Sequence, residues 1–125
     1  MRLLGYLIAL SSILFFSFNR QQHPLQKEWQ LVAERITHFN QDHTPYDGVK
    51  DRLDSVDNIR VQFLSDGSFK SPEGDGSYTF SKDSIHLNIN GKTASFRYEL
   101  IDSKLMMESY IKNPTYLVRS RLYLE

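Results

Sequence analysis

Apolar and polar residues alternate through the second half of the chain, and tight-turn signals separate the alternating stretches. Asn90-Gly91 is the clearest signal, because both central residues of such a two-residue hairpin turn adopt positive φ. The two strands flanking this turn then share an apolar face formed by Ile85, Leu87, Ile89, Ala94, Phe96 and Tyr98. A slip of one residue would reverse every side chain, so the pattern specifies the register of an antiparallel hairpin.

Further turn signals at residues 65–67, 72–75, 82–83, 102–103 and 113–114 extend this hairpin into a meander. A three-residue loop with Gly67 in the left-handed conformation pairs Phe63 with Phe69. The next turns set Phe69 opposite Tyr78, and Ile111 opposite Tyr116. One inward-facing set follows, which comprises Val61, Phe63, Phe69, Tyr78, Phe80, Ile85, Leu87, Ile89, Ala94, Phe96, Tyr98, Leu100, Leu105, Met107, Ile111, Tyr116, Val118, Leu122 and Leu124.

Residues 27–39 contain the first predicted strand, because Trp29, Leu31 and Ala33 alternate with polar residues that include Glu34. A short helix also fits this stretch, but its β-branched residues and Trp29 favour a strand. With seven strands after residue 58, the chain is predicted to be all-β, an antiparallel up-and-down meander of about eight strands. The meander forms either a barrel or a half-closed calyx.

Residues 40–58 are predicted to be a long loop that acts as a lid. They are polar, and residues 44–48 contain a turn signal. A loop of this length in a small domain is usually functional or poorly ordered.

The first twenty residues indicate export. Arg2 precedes an apolar run over residues 3–18, which suits a signal peptide better than a membrane span. Because no small-residue cleavage site follows Phe18, an uncleaved N-terminal anchor is the alternative. The predicted organisation is a signal or anchor at 1–20, a linker at 21–26 and one barrel domain at 27–125. The predicted location is periplasmic, secreted or envelope-associated, with membrane contact only through residues 1–20.

Composition removes several classes of function. The chain has 125 residues with 15 basic and 15 acidic side chains, and it has no cysteine. Removal of residues 1–20 takes away two arginines and leaves a slightly acidic domain without the basic patch that nucleic-acid binding requires. Without disulfides, the domain has to rely on its apolar core.

The order and spacing of several short segments resemble the lipocalin-like domains of small exported bacterial proteins. The resemblance covers residues 27–124, and its motifs lie at residues 29–31, 63–69, 76–78, 98–100 and 105–107. It implies an up-and-down barrel or calyx with a small-molecule cavity at one end. Unlike many members of this family, the chain has no cysteine for a lipid anchor.

The predicted interior offers candidate contacts for a small apolar ligand. These are Trp29, Leu31, Phe63, Phe69, Tyr78, Phe80, Leu87, Phe96, Tyr98, Met107 and Tyr116. An eight-stranded barrel has room either for its own side chains or for one small ligand. A solid core of aromatic rings is therefore the alternative. The tyrosine hydroxyls need water or a partner, which favours a position near the rim.

Other chemistry finds little support in the sequence. His38, Asp42, His43 and Asp47, or Asp51, Asp54 and Asp57, lack the spacing of zinc or calcium sites. Without nucleophile or phosphate-binding motifs, we predict no enzyme activity, no metal and no cofactor.

The outer face predicts a second type of function. Arg97, Glu108 and Arg119 are expected to form a cross-strand row of alternating charge. Several apolar residues also have outward parity, and Tyr110 is expected opposite Leu117. The outward apolar set comprises Leu64, Ile101, Met106, Tyr110, Leu117 and Tyr123. The N-terminal segment or the 40–58 loop is expected to cover it. The alternative is an envelope interaction protein with a filled barrel, which contacts a partner through this face or this loop.

Overall fold

The computed structural model describes residues 23–125, which form a closed up-and-down barrel of eight antiparallel strands. The strands are β1 (Glu28–Phe39), β2 (Arg52–Phe63), β3 (Ser68–Lys70), β4 (Gly76–Phe80), β5 (Ser84–Ile89), β6 (Lys92–Ile101), β7 (Lys104–Lys112) and β8 (Leu117–Leu124). The first strand pairs with the last, so the fold is a barrel rather than a half-closed calyx. Among the described residues, no helix has the length and apolar character needed to cross a membrane. The predicted signal or anchor at 1–20 lies outside the described residues.

The two-residue turns confirm the predicted register on both sides of β6. Asn90 and Gly91 have φ of 54° and 77°, and Leu87 pairs with Ala94. Asp102 and Ser103 also have positive φ, and Tyr98 pairs with Met107. The loop that ends in the left-handed Gly67 pairs Phe63 with Phe69, as predicted.

Two other pairings differ from the prediction by two residues. Phe69 lies opposite Gly76 rather than Tyr78, and Ile111 lies opposite Val118 rather than Tyr116. The second shift arises because the turn contains four residues, 113–116. It is closed by a 3.0 Å hydrogen bond from the Asn113 amide to the Tyr116 carbonyl. A shift of two residues keeps every side chain on its predicted face, because strand side chains alternate with a period of two.

The same shift changes the outer partners of β7. Glu108 pairs with Arg121 rather than Arg119, and Tyr110 lies opposite Arg119 rather than Leu117. The predicted pairing of Arg97 with Glu108 is confirmed.

A β-bulge makes the predicted alternation in β1 wrong after Leu31. Leu31 pairs with Leu124, but the next pair is Ala33 with Tyr123, so Val32 is an extra residue. A bulge of this kind reverses the face on which each later side chain lies. Glu34, predicted to lie outside with Glu28, therefore lies inside.

The predicted 40–58 loop is also wrong, because the loop ends at residue 51 and residues 52–58 belong to β2. β3 pairs with β2 only at Gln62 and Phe63, so the earlier residues of β2 pair only with β1 among the described strands. Residues 52–58 therefore lie mostly in solvent on both faces, and their polarity resembles that of a loop.

The barrel is taller on one side. We call β1, β2, β7 and β8 the tall wall and β3 to β6 the short wall. β2 pairs with β3 only at Gln62 and Phe63, and β7 pairs with β6 only over residues 104–108, so the rest of β2 and of β7 is not paired with the short wall. At the end beside the 113–116 turn, no strand of the described residues lies opposite the tall wall; we call this the upper end. Ile111 has inward parity and is nevertheless 63% exposed.

The other end of the barrel is closed by the segment that precedes β1. Leu25 has no exposed surface and belongs to the core with Trp29 and Phe63. The Leu25 carbonyl accepts a 3.0 Å hydrogen bond from Trp29 Nε1, and His23 packs on Phe80 with ring centroids 4.0 Å apart. Residues 23–26, predicted to be a linker, are therefore part of the domain. We call this closed end the floor.

Gly76 lies where the backbones of β4 and β5 approach each other closely. A Cβ atom there would lie 1.9 Å from the backbone oxygen of Asn88. Because backbone cannot yield like a flexible side chain, we expect Gly76→Ala to lower the free energy of unfolding by about 1–3 kcal/mol, as overpacking does. Chemical denaturation would measure this loss. Ser77→Ala, at the exposed neighbouring position, should change stability by less than about 0.5 kcal/mol. Equal effects would contradict the close approach.

Candidate functional site

A cavity of about 390 Å³ lies inside the barrel on the side away from the floor. Strands from both walls and the 71–75 loop contribute to it. Its lining consists of Leu31, Glu34, Val56, Ile59, Val61, Phe63, Phe69, Ser71, Pro72, Glu73, Leu87, Ile89, Ala94, Phe96, Met107, Leu122 and Leu124. Pro72, Glu73 and Ala94 are exposed and mark its mouth. Most of the lining is aliphatic or aromatic, so the cavity suits an apolar molecule.

The structure brings together about half of the ligand contacts that the sequence predicts. Those that line the cavity are Leu31, Phe63, Phe69, Leu87, Phe96 and Met107. Trp29, Tyr78, Phe80 and Tyr98 instead pack in or near the floor, and Tyr116 lies high on the tall wall. The interior is therefore partly solid and partly hollow, since the rings concentrate at one end.

The floor tyrosines use their hydroxyls within the protein rather than at a rim. Tyr78 Oη donates to the Leu64 carbonyl and accepts a 3.2 Å bond from Gln26 Nε2. Tyr98 Oη donates to the Ser81 carbonyl at 3.2 Å. Burial, with a smaller contribution from the nearby Asp83, raises the pKa of Tyr98. Both hydroxyls therefore have partners within the protein, and both tyrosines help to close the floor.

Tyr116 belongs to a separate aromatic group at the top of the tall wall. Its ring lies 5.0 Å from that of His38 and 5.5 Å from that of Tyr46. The loop at 40–51 packs against this end of the barrel, where Gln41 Nε2 donates a 2.6 Å bond to the Pro114 carbonyl. None of its residues lines the cavity, so the predicted lid does not cover the site.

The sequence-based prediction missed several residues of the cavity, both polar and apolar. Glu34 reaches the interior through the bulge at Val32, for which the sequence has no clear signal. Ser71 and Glu73 come from the loop before β4, which was interpreted only as a turn. Val56 and Ile59 come from the strand hidden within the predicted loop, although their apolar side chains could have indicated it.

Charged groups surround the mouth unevenly. Asp54 pairs with Glu34 in register, but its carboxylate forms a 2.7 Å ion pair with Arg52. Glu73 and Lys92 line one shared depression beside the mouth. Glu34 forms no ion pair with any residue in the range 23–125. Within that range it is thus a half-buried carboxylate without a compensating cation.

The acidic residues weighed as metal ligands have other partners. Asp42 accepts hydrogen bonds from the Thr44 hydroxyl and amide, and these bonds lower the pKa of Asp42. Asp51 accepts bonds from Thr37 Oγ1 at 2.6 Å and Arg35 Nη1 at 3.2 Å. In the described part of the chain, no group of three or more His, Asp or Glu side chains is arranged to hold a metal ion.

The outer face has its own features. Glu108 is only 7% exposed and accepts a 2.6 Å bond from Arg121 Nε, which raises the pKa of Arg121. Leu117 is buried beside its partner Phe39. At the other end of β7, beside the 102–103 turn, Ile101 is 60% exposed and lines a shallow depression of about 600 Å³ together with Met106 and Tyr123.

No protein-family model matches the chain, and neither a curated protein nor a solved structure matches it.

Proposed function

We propose that this chain is an exported, lipocalin-like binding module that holds one small, mainly apolar molecule and catalyses no reaction. The observation that carries the proposal is the cavity of about 390 Å³ inside a closed barrel. Its volume falls within the range of about 300–1,000 Å³ that is typical of small-molecule sites. The resemblance of the sequence to exported lipocalin-like domains supports the same function.

The two ends of the barrel support this function in different ways. Leu25 and Trp29 close the floor, so a ligand would enter from the opposite end, past exposed lining residues that include Ile59, Pro72, Glu73 and Ala94. A molecule bound in such a concave apolar site loses most of its contact with water, which is the main source of affinity for an apolar ligand. A filled barrel would have left no such space above Phe63.

A change at Ala94 should test the site directly. We expect Ala94→Trp to place an indole in the mouth and to weaken the binding of the neutral fluorophore diphenylhexatriene by at least about tenfold. Ser95 lies on the opposite face of the same strand, where it lines an outer depression. Ser95→Trp should therefore leave the affinity for the probe unchanged. Fluorescence titration of the purified domain measures both. Equal weakening by the two variants would place the probe outside the cavity.

The outer face favours one alternative, an interaction module of the cell envelope. The supporting observation is the exposed Ile101 beside the depression on β6, β7 and β8. A domain that binds no apolar probe but forms a concentration-dependent dimer in sedimentation experiments would favour this alternative over ligand binding.

A further inference from the structure

We propose that the ligand carries one cationic group, such as a protonated amine, and that Glu34 binds it inside the cavity. This inference rests on the proposed function and narrows its ligand class to apolar amines. It follows from the position of the Glu34 carboxylate, which is half-buried in a wall whose other polar members, Ser71 and Glu73, come from the 71–75 loop.

The bulge in β1 determines where this carboxylate lies. Because Val32 is an extra residue, Glu34 pairs with Leu122 on one side and lines the cavity with Leu31. Without the bulge, Glu34 would lie on the outer face, where a carboxylate is readily hydrated. The fold thus places a charge where hydration is reduced, at the upper part of an apolar chamber.

The neighbouring charges leave Glu34 uncompensated. Arg52 is held by Asp54 at 2.7 Å, and Lys92 lines a separate depression beside the mouth together with Glu73. His38 stands higher on the tall wall, with its ring against Tyr116. A partly buried carboxylate without a partner carries a desolvation cost, which a ligand cation would offset through a charge-assisted hydrogen bond.

The same arrangement predicts selectivity. A ligand with an alkyl chain and an ammonium group satisfies both the apolar wall and Glu34. An alcohol of equal length satisfies the wall and donates only a neutral hydrogen bond. A fatty carboxylate would bring a second negative charge against Glu34, and such like-charge contacts are strongly disfavoured.

Competition against bound diphenylhexatriene at neutral pH separates these ligands. Decylamine, decanol and decanoate share one apolar chain and differ in the charge of the head group. We expect the wild-type domain to prefer decylamine to decanol by about tenfold or more, and decanoate to bind most weakly. Glu34→Gln should reduce the amine preference to about threefold or less while the affinity for decanol is unchanged. Glu28→Gln, on the outer face of the same strand and outside the cavity, should retain the preference.

Two results would overturn the role of Glu34. One is equal displacement by decylamine and decanol in the wild-type domain, a measurement that needs no variant. The other is an amine preference that survives Glu34→Gln, or Glu34→Met if the glutamine variant does not fold. In either case displacement by decanol would leave the apolar cavity standing as the site. Failure of the wild-type domain to bind diphenylhexatriene or any of the three compounds would instead overturn the proposed function.

Discussion

Replacement of Leu25 by alanine should lower the free energy of unfolding by about 2–5 kcal/mol, the range for truncating a fully buried leucine. Leu25 has no exposed surface and packs in one core cluster with Trp29, Phe63 and Tyr78. The change removes only side-chain atoms, because the Leu25 carbonyl that Trp29 Nε1 contacts is part of the backbone. The loss therefore reports the packing of the floor itself.

Urea denaturation followed by the fluorescence of Trp29 would measure this effect, since Trp29 is the only tryptophan in the chain. Pro24→Ala is the matched control, because Pro24 is adjacent to Leu25 but exposed, and it should change stability by less than about 0.5 kcal/mol. If Leu25→Ala had an effect as small as that of Pro24→Ala, the floor would not contribute to the fold.

Sequence reasoning succeeded where a tight turn determines the pairing. A two-residue turn such as Asn90-Gly91 or Asp102-Ser103 allows only one register between the strands that flank it. The structure confirms the predicted register at both turns. After Lys112, the turn has four residues, and the strand pairing is shifted by two residues from the predicted one. The alternation of side chains cannot distinguish registers that differ by an even number of residues. The faces were therefore predicted better than the partners.

The candidate site was harder to predict than the fold. The bulge at Val32 depends on how β1 fits both β2 and β8, which no local pattern records. Glu34 consequently had the parity of an outer residue in the sequence. The hollow part of the barrel likewise depends on the unequal heights of the two walls, because the short β3 leaves the chamber above Phe63 unfilled.

Residues 52–58 and residues 23–26 show a related limit. Leu25 is an apolar residue in a polar stretch, and nothing local distinguishes a core plug from a linker. Residues 52–58 are polar because the upper tall wall has no opposing strand, so a real strand resembled a loop. Polarity reports exposure, and exposure is a property of the assembled barrel.

The second large effect is expected on the outer face. Arg121→Leu should lower the free energy of unfolding by about 3 kcal/mol, near the lower end of the range for breaking a buried ion pair. Glu108 is 7% exposed, and the change removes the guanidinium that lies 2.6 Å from its carboxylate. The lower end applies because the Arg121 side chain is 33% exposed, and because Arg97 lies opposite Glu108 on the other side.

An exposed pair provides the control. Arg60 Nη1 lies 3.1 Å from Glu28 Oε1, but these side chains are 67% and 53% exposed. Arg60→Leu should therefore cost less than about 1 kcal/mol, as surface ion pairs do. Chemical denaturation of both variants would test whether burial, rather than charge pairing alone, determines the size of the loss.

A double variant separates the ion pair from the packing around it. If the cost of Arg121→Leu comes from leaving the Glu108 carboxylate buried and unpaired, adding Glu108→Leu should restore most of the lost stability, because replacing both partners by apolar groups is often close to neutral. Costs that simply add in the double variant would show that Arg121 stabilises the sheet through the packing of its apolar stem. We expect the first result, since the register of β7 and β8 places these two residues directly opposite each other.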